Sequence, residues 1–340
     1  MNNQSFLMKN DAARSEPLVT IIIPVYNSSD FILDTINSII IPDDCHVEII
    51  IVDDGSTDDT VRIINHYFGI NQVIKIISVP NGGVSKARNI GIQNAQGEFI
   101  CFLDSDDQFE PSFLSILIKE MKENKVDVQL CGYYKHYVNN IDKQPKSYYD
   151  TQLLLRYLSE DISFHIGSML IKKSFLDENN IFFNEKLFFG EDILFICQLL
   201  ALAECKMSLD YLYHHNYRKD SLTTSIWDND DYLHDIYAMQ TLSKEIKKIY
   251  EGEDKDEVFN KLSNMVTNRK IRYLWKLFLS KKYSLLKELC DANFLDSQEY
   301  IQAEELPVKY KKRMMVFKLN NITLWKIIRL FNFKKVRSHL

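Results

Sequence analysis

Residues 48–59 read Glu48-Ile49-Ile50-Ile51-Val52-Asp53-Asp54-Gly55-Ser56-Thr57-Asp58-Asp59, an apolar run that breaks abruptly into acids, glycine and hydroxyls. Consecutive β-branched residues suit a strand buried on both faces, as in a parallel sheet. The break then marks the strand's carboxyl end. Outward from it, Val19–Ile23, Lys75–Val79 and Phe99–Leu103 are runs of the same kind. Between them Phe31–Ile40, Thr60–Phe68 and Val84–Asn94 carry helical periodicity, the second with Asp58 or Ser56 as its cap. The alternation predicts a Rossmann-like α/β fold: a mostly parallel open sheet with helices on both faces. In such sheets ligands lie beyond the carboxyl ends of the strands.

Further along, Pro111 suits the first turn of a helix reaching about Asn124. Val126–Cys131 and Tyr133–Val138 read as two strands, Asn139–Tyr149 as a loop or soft boundary, and Ile166–Lys172 as another strand. Ile193–Ala203 reads as a helix entered through Glu191-Asp192. From about Asp230 the texture changes to long charged helices, Tyr232–Tyr250 and Glu257–Leu279. The expected organisation is a flexible N-terminus (1–17), an α/β domain (18–225), a helical appendage (226–306) and a basic tail (307–340).

With 340 residues, 46% hydrophobic and 26% charged, the chain can bury a sizeable core, which excludes a disordered or fibrous protein. The net charge of −6 hides an asymmetry. Pro307 to Leu340 hold ten Lys/Arg and no acid, leaving −16 for residues 1–306. No apolar run reaches the roughly 18 residues of a membrane span, and the N-terminus lacks a secretory pattern, so a cytoplasmic location is expected. The six cysteines are scattered without Cys-x-x-Cys spacing, so neither a disulfide framework nor a zinc site is expected.

Carboxylates gather where strands end: Asp53-Asp54 with Asp58-Asp59 after one strand, Asp104-Ser105-Asp106-Asp107 after another. Either cluster alone would serve a turn. Both at one sheet edge crowd negative charge and call for a cation, Mn²⁺ or Mg²⁺, of the kind that holds a diphosphate. Between them Asn81-Gly82-Gly83-Val84-Ser85-Lys86-Ala87-Arg88-Asn89 opens a helix, where backbone N–H groups and two cations attract anions. The spacing is neither a dinucleotide fingerprint nor a P-loop.

Together Val19–Asn27, Asp53–Asp58, Asn81–Gly91 and Gly97–Asp107 resemble the family 2 glycosyltransferases of the GT-A fold, densely over residues 18–110 and more thinly to about 225. The resemblance implies that Pro24, Val25 and Tyr26 line a nucleotide pocket, that Asp54 with Asp53 meets the uracil or ribose of a UDP-sugar, and that Lys86 and Arg88 meet its phosphates. It makes Asp104-Ser105-Asp106 a DxD motif, with Asp104 and Ser105 toward ribose or sugar, Asp106 reaching the metal, and Asp104 and Asp107 able to share it. Phe188–Phe195 resembles the family's Glu-Asp motif, in which Asp192 would be the base and Glu191 its neighbour. In Tyr213–Thr223, His214, His215 or Arg218 would approach the diphosphate or metal. His214 is the candidate metal ligand and Arg218 a nucleotide-sugar contact, although adjacent strand residues face opposite ways and only one histidine should matter.

In the tail, Leu324, Ile327, Ile328 and Phe331 fall on one helical face with Trp325 at its edge, the pattern of an amphipathic helix resting on an anionic membrane. Nothing resembles a nucleic-acid module, and no nucleic-acid partner is expected. The expected function is an inverting, metal-dependent transfer of one sugar from a nucleotide donor to a lipid-linked glycan in cell-surface polysaccharide synthesis. The rivals are a non-catalytic binding or scaffold protein on the same fold, which would have lost an acid, and a sugar-phosphate nucleotidylyltransferase, which would carry a Gly-rich, Arg-containing turn where Pro24-Val25-Tyr26-Asn27 stands.

Overall fold

A computed structural model describes residues 18–69, 71–137, 140–149, 151–217, 227–297, 299 and 306–336. The expected N-terminal segment and Arg218 lie outside them, as does the side chain of Phe331. The chain divides into two compact units, Met1–Ser225 with Ile249–Gly252 and Ile226–Lys248 with Glu253–Leu340.

In the first unit the β-branched runs become β1 (Leu18–Val25), β2 (His46–Asp53), β3 (Ile74–Ser78) and β4 (Phe99–Phe102), joined through α1 (Ile32–Asn37), α2 (Thr60–Phe68) and α3 (Val84–Asn94). After them come β5 (Gln108–Phe109), α4 (Phe113–Asn124), β6 (Val128–Tyr137), β7 (Asn140–Gln144), α5 (Leu153–Leu158), β8 (Met169–Lys172), α6 (Lys173–Glu178), α7 (Glu191–Leu202) and β9 (Cys205–Asn216). The sheet runs β3-β2-β1-β4-β8-β6-β9-β5, with β7 paired to β6. Its first four strands are parallel, and beyond them β8 pairs antiparallel with both β4 and β6 while β9 runs parallel to β6. Alternate β1 residues divide its two faces. Ile21, Ile23 and Val25 join a core with Ile32, Ile36, Phe113 and Leu117 of α1 and α4, while Ile22 meets α3 at Gly91.

Two local expectations change. The stretch read as two strands is the single strand β6, whose pairing with β9 shifts register at Gly132. Residues read as loop supply β7, because Tyr137 and Asn140 pair and turn the chain back along β6. The register places Val25 opposite Asp53 and Ile22 opposite Phe102, so Tyr26, Asp54 and Asp104 emerge at one edge.

The second unit holds α8 (Asn229–Ile249), α9 (Lys255–Leu279), α10 (Tyr283–Asp291), α11 (Val308–Lys318) and α12 (Ile322–Val336). Its core gathers Ile271, Leu274, Leu277, Phe278, Leu286, Met314, Phe317 and Trp325. This corrects the reading of the tail as a helix with Trp325 at the edge of an outward face. Trp325 is fully buried, its indole N–H donates to the Val316 carbonyl at 2.7 Å, and Ile322 and Ile328 pack against the same core. Leu324, Ile327 and Leu330 remain 40%, 44% and 77% exposed.

Candidate active site

Where β1, β2 and β4 end, a cavity of about 440 Å³ is lined by Pro24, Val25, Tyr26, Asp54, Arg88, Asp104, Ser105 and Asp106, with the Asn81–Val84 turn and Ala87. The two acids at the end of β2 part company here. Asp53 turns inward, its Oδ1 accepting the Ser56 N–H at 2.9 Å, and does not line the cavity. Asp54 accepts the Gly82 and Gly83 N–H groups on its two oxygens at 2.7 and 2.8 Å, pinning the glycine turn against the cavity. Lys86 lies along Gly82, where an added Cβ would sit 2.4 Å from its Cδ, and is not among the lining residues.

Helix α3 delivers Arg88, whose side chain is only 6% exposed. Its Nη2 donates to Asp104 Oδ1 at 2.8 Å, its Nη1 lies 3.7 Å from Glu191 Oε1, and the guanidinium stands 5.1 Å from the centroid of Phe183. Nε and Nη1 are buried without a hydrogen-bond partner. Burial would raise the Asp104 carboxyl, but Arg88 and then His165 outweigh it, and its pKa lies below the usual carboxylate value. Ser105 is fixed by Ser28, Oγ to Oγ at 2.6 Å, and by the Thr35 hydroxyl donating to its carbonyl at 3.0 Å.

Asp107 is buried behind this wall. Its Oδ2 accepts the Tyr213 hydroxyl at 2.6 Å and faces His215 Nδ1 at 3.2 Å, while its Oδ1 accepts the Asn216 N–H at 2.8 Å. Asn216 also donates its side-chain amide to the Asp106 carbonyl at 2.7 Å. The strand therefore presents its two histidines oppositely, which corrects the choice of His214. That ring is taken by Glu110 (Nε2, 2.7 Å) and His136 (Nδ1, 2.8 Å) and stacks on Tyr134. His215 is the one brought to the acids. Burial disfavours its cation, yet the bond and charge of Asp107 prevail and hold its pKa above the ordinary imidazole value.

Asp107, His165 and His215 bring one ligand atom each within 4.8 Å of one another. Their hydrogen bonds sort these donors. His215 gives its Nδ1–H to Asp107, which leaves the Nε2 lone pair for a cation, the carboxylate–histidine arrangement common around bound metals. His165 accepts the Gly167 N–H on Nδ1 at 3.2 Å, so its neutral ring carries hydrogen on Nε2 and presents no lone pair there. Asp107 already serves three donors. Of this cluster His215 alone keeps an uncommitted ring nitrogen, and Asp106, next to Asp107 in the chain, lines the cavity.

Helix α7 starts after Gly190, whose φ of +72° suits glycine. It opens with Glu191 and Asp192. Asp192 Oδ1 accepts the Ile193 N–H at 2.8 Å. The Glu191 carboxyl is pushed up to about 7 by burial, with the Asp192 charge adding to the effect and Arg88 opposing it. Neither acid lines the cavity; Arg88 links Glu191 to it. Sequence reasoning missed His165, which stands alone just ahead of an expected strand, and gave no role to Tyr213 and Asn216, although both fall within the Tyr213–Thr223 stretch it singled out.

The sheet order is that of a GT-A glycosyltransferase fold. Staphylococcus aureus TarS residues 1–349 share it, with a TM-score of 0.69 at 22% identity over 92% of this chain and 91% of that one. Residues 20–179, just under half of the chain, match the model described as Glycosyl transferase family 2, which places a domain of that family in this part of the chain. The uncharacterized glycosyltransferase EpsJ of Bacillus subtilis is 31% identical over 59% of this chain, and the chondroitin synthase of Pasteurella multocida is 27% identical over 90% of it. The chain spans 62% and 30% of the lengths of those two relatives, under two thirds of either. TarS 1–349 has also been solved with UDP-GlcNAc, at a TM-score of 0.66 and 22% identity over 91% of this chain and 89% of that one.

Proposed function

We propose that this chain transfers one sugar, with inversion, from a UDP-linked donor to a hydroxyl of a lipid-linked glycan in cell-surface polysaccharide synthesis, working at the cytoplasmic face of the membrane. The observation that carries the reading is Arg88, a mostly buried guanidinium among the residues lining the acid-walled cavity, whose Nε and Nη1 have no hydrogen-bond partner although Nη1 lies 3.7 Å from Glu191. Such a group asks for an anion, and a diphosphate satisfies it. The TarS complex with UDP-GlcNAc and the chondroitin synthase relative support a nucleotide sugar and a glycan product.

In this reading Pro24, Val25 and Tyr26 flank the base, Asp54 meets uracil or ribose while it shapes the Gly82-Gly83 turn, and Asp104 and Ser105 meet ribose or sugar. Lys86 adds positive potential, and Arg218 belongs to the same proposal. Asp106 and His215 would hold Mn²⁺ or Mg²⁺, which when bound offsets charge on the departing diphosphate. Asp192 accepts the acceptor hydroxyl's proton as the new C–O bond forms at the anomeric carbon and the bond to UDP breaks, and Glu191 keeps Arg88 in register. The apolar and basic residues of α11 and α12 hold the enzyme to anionic lipid.

The test is a panel of nucleotide sugars incubated with the protein in Mn²⁺ or in EDTA. We expect one donor to be turned over, EDTA to suppress it, and Asp192→Asn to lower transfer to a genuine acceptor by about 100-fold or more. Turnover of no donor, or full transfer by Asp192→Asn, would refute the reading.

A further inference from the structure

Three aromatic side chains surround the Asp107 carboxylate, and one of them, His165, has no part in the reading above. It is mostly buried, 17% exposed, in the turn that leads into β8. Its backbone N–H donates to Ser168 Oγ at 3.0 Å, and that hydroxyl donates back to the His165 carbonyl at 2.7 Å, so the turn is fixed by its own hydrogen bonds. The ring stacks on Tyr213, centroids 4.9 Å apart, and leans against His215 at 4.6 Å. With Nδ1 occupied by the Gly167 N–H, the Nε2–H is its remaining donor. That atom faces two carboxylates at once, Asp104 Oδ2 at 3.8 Å and Asp107 Oδ2 at 4.0 Å. Asp104 also holds Arg88, and Asp107 also holds His215.

We propose that His165 is a positioning residue of the nucleotide-sugar site: its Nε2–H sets the spacing of Asp104 and Asp107, and its ring braces His215 against Asp107. The inference rests on the cavity being a nucleotide-sugar site. Two carboxylates this close repel, and a shared N–H donor between them limits how far they separate. Both gaps exceed hydrogen-bond length, as contacts in active sites commonly do before a ligand closes them. A metal-ligand role for His165 is disfavoured by the same tautomer that makes it a donor.

Two variants separate positioning from bulk. His165→Gln retains an N–H donor at the reach of Nε2, whereas His165→Leu fills the space without one. Calorimetric titration of UDP into each protein, with Mn²⁺ and with EDTA, reads the site without turnover. Thermal melts of the same samples read the fold. We expect His165→Leu to weaken Mn²⁺-supported UDP binding about tenfold or more while His165→Gln stays within about threefold, the two melting alike. Wild-type affinity in His165→Leu would overturn the proposal. So would an equal loss of affinity and melting temperature in both variants, which is the signature of a scaffold residue. A wild-type protein that binds no UDP in either condition overturns the nucleotide-sugar reading itself, an outcome distinct from the other two.

Discussion

Glu191 is a mostly buried acid with a second acid beside it, and its protonation has a measurable consequence. Its folded-state pKa of about 7 stands above the ordinary 4.5, raised by burial first and Asp192 second, with Arg88 opposing and Asp104 adding a little. In the window between those values the folded chain holds more proton than the unfolded chain, so this group's contribution to stability is fully present below about 4.5 and is lost as pH rises to about 7. Glu191→Gln cannot ionise. Urea titrations across the range should show wild type losing ground to the variant from pH 4.5 to 7 and then running parallel to it. A constant offset throughout would mean that Glu191 titrates normally. At this scale the acids were legible because Asp54, Asp104 and Asp106 follow apolar runs that had to be strands. The choice between His214 and His215 was not, since it is made by Glu110 and His136 on one side and Asp107 on the other, 78 or more residues away in the chain. His165 gave no signal, a lone histidine between Phe164 and Ile166 with no acid or second histidine beside it.

The elements were legible where one residue type both ends a run and has a reason to do so. α3 begins directly after Gly82-Gly83 and α2 after Asp58-Asp59, so both helices start where the sequence places them. Gly132 misled, because a glycine between two apolar runs reads as a break, whereas in β6 it is the point where an unbroken strand shifts register. A second glycine governs how α3 meets the sheet. At Gly91 an added Cβ would lie 2.3 Å from Ile22 Cγ2, and Ile22 is fully buried in a strand paired on both edges. Neither side can yield without moving the helix. Gly91→Ala should therefore cost about 1–3 kcal/mol, seen as a lower urea midpoint at unchanged slope. Because the same helix carries Arg88, UDP affinity should fall with it. An unshifted midpoint would show that α3 can lift from β1 freely.

For the whole molecule, the charge division is the informative feature: −16 over residues 1–306 against ten cations and no acid beyond them. Among the described residues no helix is long and apolar enough to cross a membrane. The sequence pattern made α12 a freely amphipathic helix, but one stripe is committed inward through Trp325 and Ile328. What remains outward is Leu324, Ile327 and Leu330, with Val308 and Met315 on the neighbouring helix 65% and 67% exposed. This division changes which experiment is meaningful. Deleting residues 307–340 would strip Met314, Phe317 and Trp325 from the core, and losing one buried aromatic already costs about 3–5 kcal/mol, so a deletion would report unfolding rather than release. Replacing Leu324, Ile327 and Leu330 together by Glu leaves that core intact while removing apolar surface and opposing the local positive charge. Wild type should cosediment with phosphatidylglycerol vesicles, more weakly as salt rises and hardly at all with neutral vesicles, because about 1 kcal/mol per basic residue near the surface comes from anionic lipid. The triple variant should lose most of that binding at an unchanged melting temperature. Wild type that ignores anionic vesicles, or a triple variant that binds them equally well, would leave the basic tail with no role at a membrane.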